Sequence, residues 1–82
     1  MLDKLKQLKQ IRDLQKEIGK ESIEIQRQGI KVTIGGDMKV LDLSLNPQLS
    51  NTDNGRIAQD LINEGLDKIQ RKIAGLMGNF NF

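Results

Sequence analysis

The segment from residue 29 to residue 46 predicts a β-hairpin, and this restricts the chain to folds that can cover one. Apolar and polar side chains alternate through residues 30–34 and again through residues 41–45, the period of two that half-buried strands show. Between them, Gly35 and Gly36 predict a tight two-residue turn, because glycine tolerates the positive φ angles that such turns need. An isolated hairpin is only marginally stable in water, so neighbouring segments are expected to pack on it.

A further strand is predicted on the N-terminal side of the hairpin. In residues 21–28, Ile23 and Ile25 alternate with polar residues, and Gln28-Gly29 is a candidate for a second turn. The sheet is therefore expected to be a three-stranded antiparallel meander. Its last strand is expected to present three leucines on one face: Leu41, Leu43 and Leu45.

Amphipathic helices are predicted on both sides of the sheet. In the first, which should end at Gly19 or just after it, apolar residues recur every three or four positions. Residues 46–55 are rich in turn-forming residues and predict a linker, so the second helix is expected from Arg56 to Leu76. Gly65 on its apolar face predicts a close approach to the sheet or to another helix. The fold class is therefore α+β: a helix, a three-stranded antiparallel meander and a helix in two layers.

A chain of 82 residues predicts one small domain, here residues 1–78, followed by a short tail at residues 79–82 that carries Phe80 and Phe82. One small sheet cannot cover two long apolar helix faces, so we expect the domain to form a homodimer. The first helix and the sheet should contribute to the interface. The residues expected in the helical part of that interface are Leu5, Leu8, Ile11 and Leu14.

The charge of the chain is unevenly distributed, although its formal net charge is only +2. Residues 1–20 contain six basic and three acidic residues, and the basic ones gather on one side of the predicted helix. The first set of candidate DNA contacts is Lys9, Arg12, Lys16 and Lys20, and the second, near the end of the second helix, is Lys68, Arg71 and Lys72. No aromatic residue is interleaved with them, so stacking on bases is not supported, and a row of this kind suits contacts to phosphates. A solvated basic helix face also explains these residues taken alone.

Most catalytic chemistry lacks its usual residues in this chain. There is no cysteine and no histidine, and the aspartates lack the spacing of a metal site, so we expect no enzyme, no metal, no cofactor and no small-molecule substrate. The Gly35-Gly36-Asp37 segment lacks the spacing and the lysine of a phosphate-binding loop. No apolar run approaches the length of a membrane span, so a cytoplasmic protein without membrane contact is expected.

Three short motifs resemble those of one protein family. They are Lys31-Val32-Thr33-Ile34 followed by Gly36, then Leu43, Leu45-Asn46-Pro47 and Leu49, then Leu61-Ile62 and Glu64 with Leu66 and Lys68. In this order and spacing the chain resembles the YbaB/EbfC family of bacterial nucleoid-associated proteins, although it is shorter than is usual there. The resemblance implies a homodimer with projecting helices that binds double-stranded DNA in the nucleoid with little sequence preference. The alternative is an adaptor for recombination or replication machinery that does not bind DNA directly.

Overall fold

The computed structural model describes residues 2–78, with side chains from residue 4 onward. A helix, three antiparallel strands and a second helix follow one another, which confirms the predicted α+β fold class. The elements are α1 (Leu2–Lys20), β1 (Ser22–Arg27), β2 (Ile30–Gly35), β3 (Val40–Ser44) and α2 (Asn51–Met77). The predicted tail with Phe80 and Phe82 lies outside the described residues, and the assignment of residues 1–78 to a single domain stays a prediction.

The first hairpin follows the sequence prediction closely. β1 and β2 pair in register from Ser22 opposite Gly35 to Arg27 opposite Ile30. The two residues between the strands, Gln28 and Gly29, have φ angles of 52° and 79°. Positive φ at both central positions belongs to the turn type whose twist matches a two-residue hairpin. The candidate turn is therefore confirmed.

The connection from β2 to β3 differs from the tight Gly35-Gly36 turn that was predicted. Gly35 is the last residue of β2, and residues 36–39 form a four-residue connection before β3. The N–H of Gly35 donates to the carbonyl oxygen of Lys39 at 2.9 Å, and the residue with positive φ is Met38, at 65°. Gly36 is needed for space, because a Cβ there would overlap the carbonyl oxygen of Ile18 at the end of α1.

A β-bulge changes the predicted faces of β3. Val32 is paired with Leu43 and Ile34 with Val40, with a shift of register between Thr33 and Ile34. Paired residues point to the same side of a sheet, so Val40 shares the face of Leu43. Leu41 lies on the other face, where a Cβ at Gly35 would be 3.1 Å from its Cδ1, so the prediction that placed Leu41 with Leu43 is wrong. The extra residue of a bulge reverses the alternation, which a strict period of two cannot show.

The core lies between α2 and the first two strands. α2 packs across β1 and β2 and leaves the same face of β3 uncovered. Gly65 faces the sheet, where a Cβ would lie 2.5 Å from Cδ1 of Ile34, so the predicted close approach is confirmed. The buried cluster consists of Ile30, Val32, Ile34, Ala58, Leu61, Ile69 and Ile73.

α2 begins five residues before the predicted start at Arg56, so the second half of the predicted linker, residues 51–55, is helical. Ser50 is the N-cap: its hydroxyl accepts a hydrogen bond from the N–H of Asp53 at 3.1 Å. The polar residues that follow were read as turn formers, but residues in a first helical turn are commonly of the same types. The helix ends at Met77 with Gly78 as its C-cap.

α1 extends away from the rest of the domain. It packs on α2, and the described chain measures 60 × 16 × 14 Å. Its radius of gyration is 16.8 Å, whereas a compact domain of this length would have about 12 Å. Leu5, Leu8 and Ile11 are exposed, while Leu14 and Ile18 nearer the sheet are buried or half-buried. We refer to α1 below as the arm.

Candidate nucleic-acid interface

The arm carries a row of cations that form no ion pair with any side chain of residues 4–78. Lys9, Arg12 and Lys16 are all exposed, and their spacings of three and four residues place them on one side of the helix. No acidic group among residues 4–78 lies within salt-bridge distance of any of the three. We call these three residues the basic row. They offer three hydrogen-bonding cations to an anionic ligand without breaking any contact inside the described chain.

The apolar stripe of the arm winds around the helix, because its repeats of three fall short of the 3.6 residues of a full turn. Leu14 and Leu5 are nine residues apart and therefore point to opposite sides of the helix. Leu14 is 7% exposed, whereas Leu5 is 63% exposed. Leu5 and Leu8 lie instead beside the basic row, in one shallow depression that Asp13 also lines. The apolar patch and the cations thus share one surface.

Two exposed apolar areas have no cover within the described chain. The area on the arm consists of Leu5, Leu8 and Ile11, three of the four residues predicted for the dimer interface. The fourth, Leu14, is buried inside the chain. On β3 every residue is exposed, including Val40 and Leu43 on the face that α2 leaves open. Exposed apolar surfaces of this kind mark interaction sites in soluble proteins.

The remaining predicted DNA contacts are mostly engaged in ion pairs. Lys20 lies 3.6 Å from Glu17, and Lys68 lies 3.3 Å from Glu64. Lys72 approaches the carboxylate of Glu21 to 2.7 Å. The remaining predicted contact, Arg71, is exposed and has no salt-bridge partner among residues 4–78. Of the seven predicted contacts, four therefore have no acidic partner within residues 4–78, and three are already paired.

Glu64 joins α2 to the sheet. Its carboxylate accepts a hydrogen bond from the guanidinium of Arg27 on β1 at 2.8 Å and pairs with Lys68 one helical turn later. Hydrogen bonding from Lys68, followed by that from Arg27, lowers the pKa of Glu64 below its ordinary value of 4.5. Lys68 is therefore paired with a carboxylate that is itself bound to the sheet.

Sequence reasoning missed the acidic partners of the predicted cations. The pair of Glu64 with Lys68 could have been found, because residues four apart on a helix are neighbours. The contact between Glu21 and Lys72 joins two ends of the domain and has no local signal. Arg27 also gave no local signal, because it is one of several polar residues in an alternating strand. It is nevertheless the residue of the sheet that binds Glu64.

Other kinds of site find no support in the part of the chain that the structure describes. Within it, no group of three or more histidine, cysteine, aspartate or glutamate side chains is arranged to hold a metal ion. None of its helices is long and apolar enough to cross a membrane. The basic row and the exposed apolar areas remain as the candidate functional surface.

Comparison with known proteins agrees with the resemblance seen in the sequence motifs. Residues 1–79 match the model of a family described as the YbaB/EbfC DNA-binding family. A curated relative, the nucleoid-associated protein MARTH_orf159 of Metamycoplasma arthritidis (strain 158L3-1), is 34% identical over 77 residues. That alignment covers 88% of this chain and 81% of the relative. No solved structure matches the chain significantly.

Proposed function

The chain belongs to the YbaB/EbfC DNA-binding family, and on that premise we propose that it binds double-stranded DNA as a homodimer with little sequence preference. The observation that carries the proposal is the basic row: Lys9, Arg12 and Lys16 are exposed on a projecting helix and have no acidic partner among residues 4–78. Cations of this kind contact phosphates, which position a protein on DNA without reading its sequence.

The spacing of the row favours an anionic partner. Arg12 and Lys16 are four residues apart on a helix, where like charges destabilise the helix by a few tenths of a kcal/mol. A polyanion between them would convert that repulsion into attraction. Arg71 is a further candidate contact, since it is also unpaired among residues 4–78. The cations Lys20, Lys68 and Lys72 are weaker candidates, because a carboxylate beside each of them already offsets its charge.

The exposed apolar areas support the homodimer. In a second copy of the chain, the same areas are available, so a two-fold axis would let each copy cover the other. Leu5 and Leu8 on the arm lie beside the basic row, so a partner packed there would leave the cations at the rim of the interface. The uncovered face of β3, with Val40 and Leu43, would provide the sheet's part. Dimerisation would then present the basic row twice to one DNA duplex.

The proposed location follows from the proposed ligand. The curated relative is named a nucleoid-associated protein, and a protein that coats DNA without sequence preference would spread over the bacterial nucleoid in the cytoplasm. Weak dependence on sequence requires that affinity come from phosphates, so binding should fall steeply as salt displaces the protein from DNA. The test of the proposal therefore varies salt and sequence together.

The experiment measures fluorescence anisotropy with several unrelated duplexes over a range of salt concentrations. For the wild type we expect similar affinity for all duplexes and a slope of log affinity against log salt of about −0.9 for each phosphate contact. Changing Lys9, Arg12 and Lys16 together to Gln should weaken binding to every duplex alike and flatten the slope. Gln is a fair helix former, so circular dichroism should show α1 intact.

A matched control removes the same net charge elsewhere. Lys31, Lys39 and Arg56 lie on the sheet, the β2–β3 connection and the start of α2, and changing all three to Gln should keep the wild-type slope. If the control loses as much affinity and slope as the triple variant of the basic row, total charge rather than this surface drives binding. If the wild type binds no duplex at low salt, the adaptor function is the better explanation.

A further inference from the structure

The arm packs on α2 near its base, and its direction also depends on the junction where it joins the sheet. α1 ends at Lys20 and β1 begins at Ser22, so Glu21 is the single residue between them. From Leu5 to Glu21 the arm is about 24 Å long, and a tilt of about 20° at its base would move its far end by roughly 8 Å. Contacts at Glu21, together with the packing of the arm on α2, therefore decide where the basic row lies relative to the domain.

Main-chain contacts hold this junction from the side of the sheet. The N–H of Gly36 donates to the carbonyl oxygen of Glu21 at 2.9 Å, and the N–H of Glu21 donates to the carbonyl oxygen of Ile18 at 3.1 Å. Gly36 also lies so close to the carbonyl oxygen of Ile18 that no side chain fits there. The β2–β3 connection thus abuts the last turn of the arm.

Lys72 holds the junction from the side of α2. Its ammonium lies 2.7 Å from Oε2 of Glu21 and donates a hydrogen bond to the carbonyl oxygen of Ser22 at 3.3 Å. The Glu21 side chain is only 22% exposed, so it is held against the domain rather than free in solvent. One side chain therefore binds two consecutive residues at the base of the arm. The neighbouring Arg71 makes no such contact.

We propose that Lys72 is a positioning residue that fixes the direction of the arm through Glu21 and Ser22, and that it does not itself contact DNA. The inference rests on the proposed function, because the basic row is what the arm positions. Two contacts of the ammonium, to Glu21 and to Ser22, are made at the junction.

A distance measurement tests the positioning without DNA. The chain has no cysteine, so spin labels can be placed through Gln7→Cys on the arm and Asn63→Cys on α2, both exposed. Labelled chains are diluted in unlabelled protein, so that pulsed electron resonance reports the distance within one chain. We expect a narrow distribution in this background, a broadened or shifted one with Lys72→Met, and a narrow one with the control Arg71→Met.

DNA binding then separates positioning from direct contact. Lys72→Met should weaken binding several-fold at every salt concentration with an unchanged slope, whereas a lost phosphate contact would flatten the slope by about 0.9. An unchanged distance distribution, an unchanged affinity or a flattened slope with Lys72→Met would each overturn the proposal. Failure of the proposed function would appear separately, as unaltered binding when the basic row is removed.

Discussion

Asn54, buried in the first turns of α2, is bound to the backbone of Asn46 by two hydrogen bonds. Its Oδ1 accepts from the N–H of Asn46 at 3.0 Å, and its Nδ2 donates to the carbonyl oxygen of Asn46 at 2.9 Å. The side chain of Asn46 in turn donates to the carbonyl oxygen of Gln28 at 2.8 Å. The start of α2 is thereby fixed to the end of β3 and to the β1–β2 turn.

The first prediction is that Asn54→Asp destabilises the domain by about 3 kcal/mol, because it removes the donor and places a charge at a site that is 6% exposed. Urea denaturation followed by circular dichroism measures the change. Asn51→Asp is the control, since Asn51 is exposed in the same first turn and a negative charge there is favourable. Equal stability of the two variants would show that the paired hydrogen bonds contribute little.

The order of elements could be predicted from the sequence because it depends on local periodicity. Alternation through residues 30–34 and the apolar stripes of both helices are visible without any tertiary contact. The role of Gly36 could not be predicted, because its need for space comes from Ile18, which lies far from it in sequence. Local reasoning assigned the glycine to a turn, whereas the turn's positive φ falls on Met38.

The residues of the candidate site likewise include some that the sequence could predict and some that it could not. The basic row was predictable, because Lys9, Arg12 and Lys16 lie on one helix and their neighbourhood follows from helical spacing. The contacts that engage Lys72 could not be predicted, because its partner Ser22 is 50 residues earlier in the chain. Sequence can place a charge on a face, but whether that charge is free depends on which acidic groups the fold brings to it.

The second prediction concerns Gly65. Replacing a glycine within a helix by alanine usually stabilises by up to about 1 kcal/mol. At Gly65 we expect the opposite, a loss of about 1–3 kcal/mol, because the new Cβ would lie 2.5 Å from Cδ1 of the fully buried Ile34. Thermal and urea denaturation measure the sign. Gly75→Ala is the control, since nothing lies within 4 Å of a Cβ there.

A double variant locates the cause of that loss. Ile34→Val removes the Cδ1 atom that the alanine would meet, so combining it with Gly65→Ala should cost less than the two single changes together. Additive losses would place the strain elsewhere, for example where the new Cβ would lie 3.4 Å from Cδ1 of Ile23 and of Ile25.

The third prediction is a pH dependence at Glu64. Its pKa is lowered in the folded protein by hydrogen bonds from Lys68 and Arg27. A group with a lowered folded-state pKa contributes stability above its unfolded pKa, and that contribution is lost as the pH falls through the folded value. The stability difference between wild type and Glu64→Gln should therefore be present at pH 7 and shrink below about pH 4.5.

The control for this dependence is Asp60→Asn, an exposed carboxylate on the same helix without a salt bridge among residues 4–78. The urea midpoints of the three proteins at pH 7 and in acid give the comparison. A difference between wild type and Glu64→Gln that stays constant from pH 7 into acid would contradict a role for the ionised carboxylate.

The last prediction concerns the homodimer. Leu8 is 60% exposed in the single chain, so Leu8→Asp should leave the core folded but prevent a second copy from packing on the arm. Burying a leucine contributes about 1.5–3 kcal/mol, and a two-fold dimer loses two of them, so the dissociation constant should rise at least about a hundredfold. Gln7→Asp is the matched control, because it adds the same charge one residue earlier, at an exposed position outside the apolar stripe. Sedimentation equilibrium should find the control dimeric and Leu8→Asp monomeric, and a wild type that is monomeric at micromolar concentration would rule out the dimer itself.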